Sequence, residues 1–165
     1  MRKKAQQGFT LIELLVVIVL LGIVTSFAVL SMGTGSIGRE MEEEAKRLHA
    51  LISLIREESI IQAKEIAMEV NQQEYSFVEY KDKKWIAVEA KMFQKRKMKE
   101  GLEFSVNTES KVFKSQNSDL LRIYFLSSGE QTPFQVRINV KGEPRPYYQL
   151  TGLFNGKLTL GYVDN

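Results

Sequence analysis

The chain has 165 residues, contains no cysteine and carries a formal net charge of +3. This length fits a single membrane segment joined to one modest domain, and it excludes a multidomain enzyme. The lack of cysteine excludes a disulfide framework, a thiolate metal site and a lipoprotein anchor.

The N-terminus combines a short basic stretch with a long apolar run. Arg2, Lys3 and Lys4 are the only charged residues among the first eight, and residues 14–30 carry no charge. About 17 residues at ~1.5 Å rise per residue span most of a bilayer's hydrocarbon core. Without the first eight residues, 20 of the 23 basic residues remain against 20 acidic ones. Net charge therefore gives no general argument for binding nucleic acid or an anionic surface.

Two familiar interpretations of this N-terminus leave one residue unexplained. A secretory signal peptide also has a basic start and an apolar core, and Ser26-Phe27-Ala28 would be an acceptable cleavage site. A plain single-pass anchor explains the length and, through the basic start, a cytoplasmic N-terminus. Neither interpretation gives a purpose to Glu13, the acid at the edge of the apolar run.

A third interpretation uses the whole stretch Gly8-Phe9-Thr10-Leu11-Ile12-Glu13. These residues, set against an uncharged run, resemble the N-terminus of type IV pilins and pseudopilins. The resemblance covers about the first thirty residues. It implies that a prepilin peptidase cuts between Gly8 and Phe9, that the new Phe9 amine is methylated, and that Glu13 becomes the fifth residue of the mature chain.

The resemblance also implies a role for Glu13 in filament assembly. A lone carboxylate near the hydrocarbon core costs a few kcal/mol on insertion scales unless it is paired. In the family, the acid pairs with the free amine of a neighbouring subunit and sets the register of the stacked helices. The alternative is that the Glu13 side chain only extends to the lipid headgroups.

Beyond the apolar run, the pattern predicts a loosened segment and then a second helix. Gly33 and Gly35 are expected to loosen or kink the chain, since each costs about 1 kcal/mol relative to alanine in a helix, and Ser36 is a candidate N-cap. Residues 37–63 have helical periodicity. The apolar face of this stretch is predicted to pack on a domain and consists of Met41, Ala45, Leu48, Leu51, Ile52, Ile55 and Ser59.

The rest of the chain alternates as β-strands do. Strands are predicted over residues 65–70, 75–80, 85–90, 102–106, 120–126, 134–140, 147–153 and 158–162. Such short and closely spaced strands should pair antiparallel. Asn155-Gly156 predicts a hairpin, and Ser128-Gly129 with Pro133 marks another connection.

The predicted fold class is α+β: a long N-terminal helix packed on an antiparallel β domain with two small sheets. The predicted organisation is a leader (1–8), a transmembrane and filament-core helix (9–32), a linker with an amphipathic helix (33–63) and a β domain (64–165). Two features resemble the domain of H-type minor pseudopilins. The helical half runs directly into a β-rich domain, and Ser128-Gly129-Glu130 and Pro133-Phe134 are followed by an alternating strand. Minor type IV pilins share this domain.

The sequence contains no catalytic constellation. His49 is the only histidine, and no nucleophile elbow or metal-spaced partner accompanies it. Asp119 and Glu130 lack the ligand spacing of a calcium loop, so no metal or cofactor is predicted. Residues 91–99 contain five basic residues, among them Lys95, Arg96 and Lys97. They are either a nucleic-acid-binding patch or a solvated edge whose charges prevent aggregation, and the flanking glutamates favour the second.

These resemblances imply a minor pseudopilin of a type II secretion system, a structural subunit near the tip of the periplasmic pseudopilus and not an enzyme. It would cross the inner membrane once, with its N-terminus cytoplasmic and its domain periplasmic. The expected partners are other pseudopilins, the prepilin peptidase and methyltransferase, the inner-membrane assembly platform, the bilayer and, as a further candidate, secreted substrate; nucleic acid is not expected. The alternatives are a minor type IV pilin in pilus assembly or DNA uptake, and a membrane-anchored enzyme.

Overall fold

The computed structural model describes residues 11–108 and 120–164, without the side chains of residues 26–36. Gly8, Phe9 and Asp119, which the sequence analysis names, lie outside the described residues. Two compact units are distinguished, with the division after Gly38.

A single helix, α1, extends from Leu11 to Ile61. It continues through Gly33 and Gly35, where the sequence predicted a linker, and it contains no new start at Ser36. Isolated glycines weaken a helix without interrupting its hydrogen bonds, which explains the difference. Within residues 39–61 the predicted apolar face is confirmed, because all its members except the half-buried Leu51 are buried.

In the described residues, nine strands follow, and all the pairings between them are antiparallel. Their bounds are β1 Ile66–Val70, β2 Glu74–Lys81, β3 Lys84–Ala87, β4 Arg96–Lys97, β5 Leu102–Thr108, β6 Leu121–Phe125, β7 Phe134–Val140, β8 Tyr147–Gly152 and β9 Leu158–Val163. A short 3₁₀ turn, Lys91–Phe93, precedes β4. All eight predicted strands are found. The sequence missed the two-residue β4, and it placed the end of β3 three residues too late.

The strands form two sheets, as predicted. The first sheet has the order β3-β2-β1-β6, with β4 paired to β2, and the second has the order β5-β7-β8-β9. A backbone hydrogen bond of 3.1 Å from Phe104 N to Gln72 O links the two. Their buried side chains and the buried face of α1 form the core of the domain, which confirms the α+β class.

The predicted turns are also found. Asn155-Gly156 connects β8 to β9, with Gly156 at φ +81° and Leu153 N donating to Lys157 O at 2.9 Å. Gly129, at φ +88°, lies in the connection between β6 and β7. Both turns need a positive φ, which glycine adopts without steric cost.

Candidate functional site: the apolar helix and the domain surfaces

The first described part of α1 is a helix with apolar side chains on every side. The exposed fractions of the large apolar side chains between Leu11 and Val24 range from 46% to 85%. A patch of this extent is unusual on a soluble monomer and marks a surface that lipid or protein covers. In the residues that the structure describes, no helix is long and apolar enough to serve as a membrane span.

Glu13 lies in the first turn of this helix and is exposed. Its neighbours in sequence, Ile12 and Leu14, are 70% and 55% exposed. The acid is therefore part of the apolar surface and would enter any contact that the surface makes.

The aromatic and the basic side chains of the basic segment, residues 91–99, lie in different environments. Phe93, the aromatic side chain that would stack on a base, is only 4% exposed and packs against Phe77 with ring centroids 5.4 Å apart. Lys95 Nζ lies 2.7 Å from a Glu74 carboxylate oxygen. Arg96 and Lys97 are exposed on the short strand β4.

One charged group that the sequence analysis did not identify is buried in the core. Glu44 is 2% exposed; it accepts a hydrogen bond of 2.6 Å from Arg47 Nη1 and one of 3.2 Å from the Tyr75 hydroxyl. Burial of the ring, and then the charge of Glu44, raise the pKa of the Tyr75 phenol. The spacing of Met41, Glu44 and Leu48 already indicates that Glu44 lies on the buried face.

Aromatic rings cover the outer face of the first sheet. The rings of Trp85 and Tyr124 approach to 5.5 Å although β2 and β1 lie between their strands. Ala67 and Val78 share that face with Tyr124 and are buried at 0% and 8% exposure. The Arg122 guanidinium lies 5.5 Å from the Trp85 ring centroid and also pairs with a glutamate of β1. These aromatic and guanidinium groups therefore cover part of the outer face of the first sheet.

The described residues contain no group of acidic and histidine side chains that could hold a metal ion. His49 is half-buried in α1. Glu130 accepts a hydrogen bond of 3.4 Å from the Ser128 hydroxyl within their turn.

Two family models match the chain. The prokaryotic N-terminal methylation motif matches residues 3–29, and the type II transport protein GspH matches residues 44–156. Among curated proteins, type II secretion system protein H of Pseudomonas aeruginosa is 31% identical and aligns with 84% of this chain and 86% of its own length. The protein of the same name from Vibrio cholerae is 27% identical and aligns with 94% of each chain.

Solved structures agree with this similarity. The minor pseudopilin EpsH of the V. cholerae type 2 secretion system superposes with a TM-score of 0.62 at 26% identity, over 74% of this chain and 97% of that chain. The solution structure of E. coli GspH superposes with a TM-score of 0.59 over 76% and 89% of the two chains. At 15% identity, the second comparison shows the fold alone.

Proposed function

The chain belongs to the type II transport protein GspH family, and from this we propose that it is a minor pseudopilin acting near the tip of a periplasmic pseudopilus. The family is one of structural subunits, and the chain assists protein export as such a subunit, without catalysis of its own. The observation that carries the proposal is that one chain joins a methylation motif at residues 3–29 to a GspH domain at residues 44–156.

The N-terminus is processed before assembly. The prepilin peptidase cleaves between Gly8 and Phe9, and the new amine of Phe9 is methylated. The chain is held in the inner membrane by residues 9–32, with the leader in the cytoplasm and the β domain in the periplasm. The match to the methylation motif supports the processing. The exposed apolar side chains of residues 11–24 support the attachment to the membrane.

Glu13 then sets the position of the subunit in the filament. Its carboxylate lies on a helix whose apolar side chains are exposed in the monomer, and packing that helix against others would remove water from the acid. Burial of a carboxylate costs several kcal/mol unless a cation compensates for it, so assembly favours an arrangement that brings a cation to it. The Phe9 amine of a neighbouring subunit supplies that cation.

The partners follow from this role. They are the major and minor pseudopilins, the peptidase and methyltransferase, the inner-membrane assembly platform and the bilayer. Secreted substrate is a further partner, reached through the exposed loops of the β domain.

The experiment complements a deletion strain with variants of the full chain and measures a type II cargo in the culture medium. Glu13→Ala is expected to insert in the membrane at parental levels but to lose most co-purification with other pseudopilins, because the charge that pairs with the amine is gone. Glu13→Asp keeps the charge and should retain more co-purification with other pseudopilins and more cargo secretion than Glu13→Ala. Undiminished co-purification of Glu13→Ala would contradict the pairing.

Leader removal is tested in the same strains. Gly8→Ala is expected to leave the leader attached, so that the protein runs about eight residues larger on a gel and does not restore secretion. A Gly8→Ala protein with parental mobility would contradict processing by the prepilin peptidase. Parental secretion in the deletion strain itself would contradict the function.

A further inference from the structure

Strand β9, Leu158–Val163, forms an open edge of the second sheet. It is six residues long, contains no charge and no proline, and is the last strand of its sheet. Among the described residues, no backbone hydrogen bond reaches it from any strand or loop other than β8 and the turn between β8 and β9. Natural sheets usually protect such edges with charge, short length or a covering segment, and an edge without them can accept an additional strand.

The hydrogen-bond pattern of the hairpin identifies the free backbone groups of β9. Leu153 N donates to Lys157 O next to the turn, and hydrogen-bonded pairs alternate along an antiparallel ladder. The residues of β9 that bond to β8 are therefore Thr159, Gly161 and Val163. The residues whose backbone N–H and C=O groups point away from β8 are Leu158, Leu160 and Tyr162.

The side chains of these last three residues continue the core of the domain to the edge of the sheet. Leu160 lies opposite Leu150, which is 1% exposed, and Tyr162 lies opposite Tyr148, with their ring centroids 5.0 Å apart. Leu158 and Leu160 are half-buried, whereas the Tyr162 side chain is 52% exposed. The core face of the second sheet therefore ends in an apolar row that is only partly covered.

The other face and the two ends of β9 are small or polar. Thr159 and Gly161 are exposed, as are Lys157 just before the strand and Asp164 just after it. A complementary strand thus carries apolar side chains at every second position and polar ones between them. Its two ends carry charges opposite to those of Lys157 and Asp164.

Strand β9 runs along α1 in the opposite direction. The Arg56 side chain lies against Gly156, in the turn before β9. Towards the other end of the strand, Tyr148, which is paired with Tyr162, interacts electrostatically with Glu42. The strand therefore leads back from the end of α1 towards its earlier turns.

This direction makes a second copy of the chain an unsuitable occupant of the edge. In the proposed function all copies are held in one membrane in the same orientation, so two β9 strands that met would run parallel. Lys157 would then lie beside Lys157, and Asp164 beside Asp164. Like charges that face each other across a strand pair are destabilising.

We propose that β9 accepts an extended segment of a different protein as an additional strand of the second sheet, antiparallel to β9. The apolar side chains of this segment lie opposite Leu158, Leu160 and Tyr162, where they extend the core. Its ends carry a cation opposite Asp164 and an acid opposite Lys157. Antiparallel pairing uses the outward N–H and C=O groups of all three apolar residues. The exclusion of a second copy rests on the proposed function, whereas the addition of a strand goes beyond it.

A synthetic peptide of this design, Lys-Thr-Val-Thr-Val-Thr-Val-Asp with an N-terminal fluorophore and a C-terminal amide, is the probe. Antiparallel pairing places its three valines opposite the apolar row, its lysine opposite Asp164 and its aspartate opposite Lys157. Fluorescence anisotropy measures its binding to the full chain in detergent, with empty micelles as the blank.

Two N-methylated forms of the peptide separate strand pairing from apolar adhesion. Methyl groups on the nitrogens of the last two threonines leave the edge that faces β9 intact and prevent the peptides from pairing with each other. Methyl groups on the last two valines give the same composition but block the edge that faces β9. We expect the valine-methylated peptide to bind at least about tenfold more weakly, because two backbone hydrogen bonds are lost.

Exchanging the charges of the threonine-methylated peptide tests the direction of the added strand. With aspartate first and lysine last, antiparallel pairing brings like charges together at both ends. We expect this peptide to bind about threefold more weakly at low salt.

A pair of variants of the chain tests the site on β9. Tyr162→Pro removes an outward N–H without removing a bond to β8, whereas Tyr162→Thr removes the same ring and keeps the N–H. We expect Tyr162→Pro to bind the threonine-methylated peptide about fivefold more weakly than Tyr162→Thr does. The fluorescence of Trp85 checks that both variants fold.

Four results would overturn the proposal. They are no binding of the threonine-methylated peptide above the blank, equal binding of the two methylated peptides, undiminished binding of the peptide with exchanged charges, and equal binding by the two Tyr162 variants. The readout does not depend on secretion. A failure here therefore leaves the proposed function intact, and a failure of secretion leaves the binding of the peptide intact.

Discussion

At the residue scale, Glu44 shows why a charge can lie in the core of this domain. Arg47 and Tyr75 both donate hydrogen bonds to it, and a buried carboxylate is tolerated only when its oxygens are satisfied. Sequence reasoning places glutamates in solvent, so Glu44 was missed although its spacing from Met41 pointed inward. The N-terminal motif could be recognised because it depends on the order of residues and not on burial.

Burial of the Tyr75 ring and its contact with Glu44 together predict a pH-dependent stability. The pKa of Tyr75 is raised in the folded chain above its ordinary value of 10.0, so the unfolded state loses the phenolic proton first. The stabilisation is complete below about pH 10 and is lost as the pH rises above it. Tyr75→Phe should lower the free energy of unfolding at pH 8 by about 1.5–3 kcal/mol, because Glu44 loses a hydrogen-bond donor.

The measurement is urea unfolding of the full chain in detergent, followed by the fluorescence of the only tryptophan, Trp85. Between pH 9 and 11 the parent should lose stability more steeply than Tyr75→Phe, whose ring cannot ionise. If the stabilities of the parent and Tyr75→Phe fell in parallel with pH, ionisation of Tyr75 would not be the cause of the loss. Glu44→Gln keeps an acceptor but removes the charge. Its free energy of unfolding at pH 8 should lie between those of the parent and Tyr75→Phe.

At the scale of the elements, the periodicity of the sequence predicted most of the strands. It could not predict which strands pair when they lie far apart in the sequence. Strand β6 pairs with β1 although β5, which precedes it, belongs to the other sheet. Alternation fixes which face a residue occupies but not which strand is its neighbour. The two-residue β4 was missed because Arg96 and Lys97 have the composition of a solvated loop.

Strand β8 gives the prediction at this scale. Gly152 pairs with Phe134 on β7, and a Cβ at this position would overlap the Phe134 ring and approach the Gln131 amide. Both of those side chains are buried, at 2% exposure. Gly152→Ala should therefore reduce the free energy of unfolding by about 1–3 kcal/mol.

Gly161 on β9 is the matched control, since a Cβ there meets nothing within 4 Å. Gly161→Ala should change the free energy of unfolding by less than about 0.5 kcal/mol. Circular dichroism during urea unfolding measures both variants. Equal stabilities would contradict the view that the close approach of Phe134 requires glycine at position 152.

At the scale of the whole molecule, the distribution of charge favours the proposed function over DNA uptake. The chain without its leader would have equal numbers of basic and acidic residues, and the basic segment is partly neutralised by Glu74 and by Glu43, whose carboxylate lies 3.4 Å from Lys99 Nζ. Binding to a phosphate backbone depends on unpaired cations and falls steeply with salt. With Phe93 buried, stacking on bases is lost as well.

We therefore expect the full chain in detergent to show no salt-sensitive retention of DNA in a filter-binding assay. Replacing Lys95, Arg96 and Lys97 by alanine should then leave retention at the background level of the parent. Replacing Glu74 by alanine instead frees Lys95 and should raise retention at low salt, which checks that the assay detects a change of one unpaired cation. Salt-sensitive binding by the parent that the triple variant abolishes would contradict this expectation and favour a DNA-binding minor pilin, because the three residues would then act as an open cationic surface despite the carboxylates beside them.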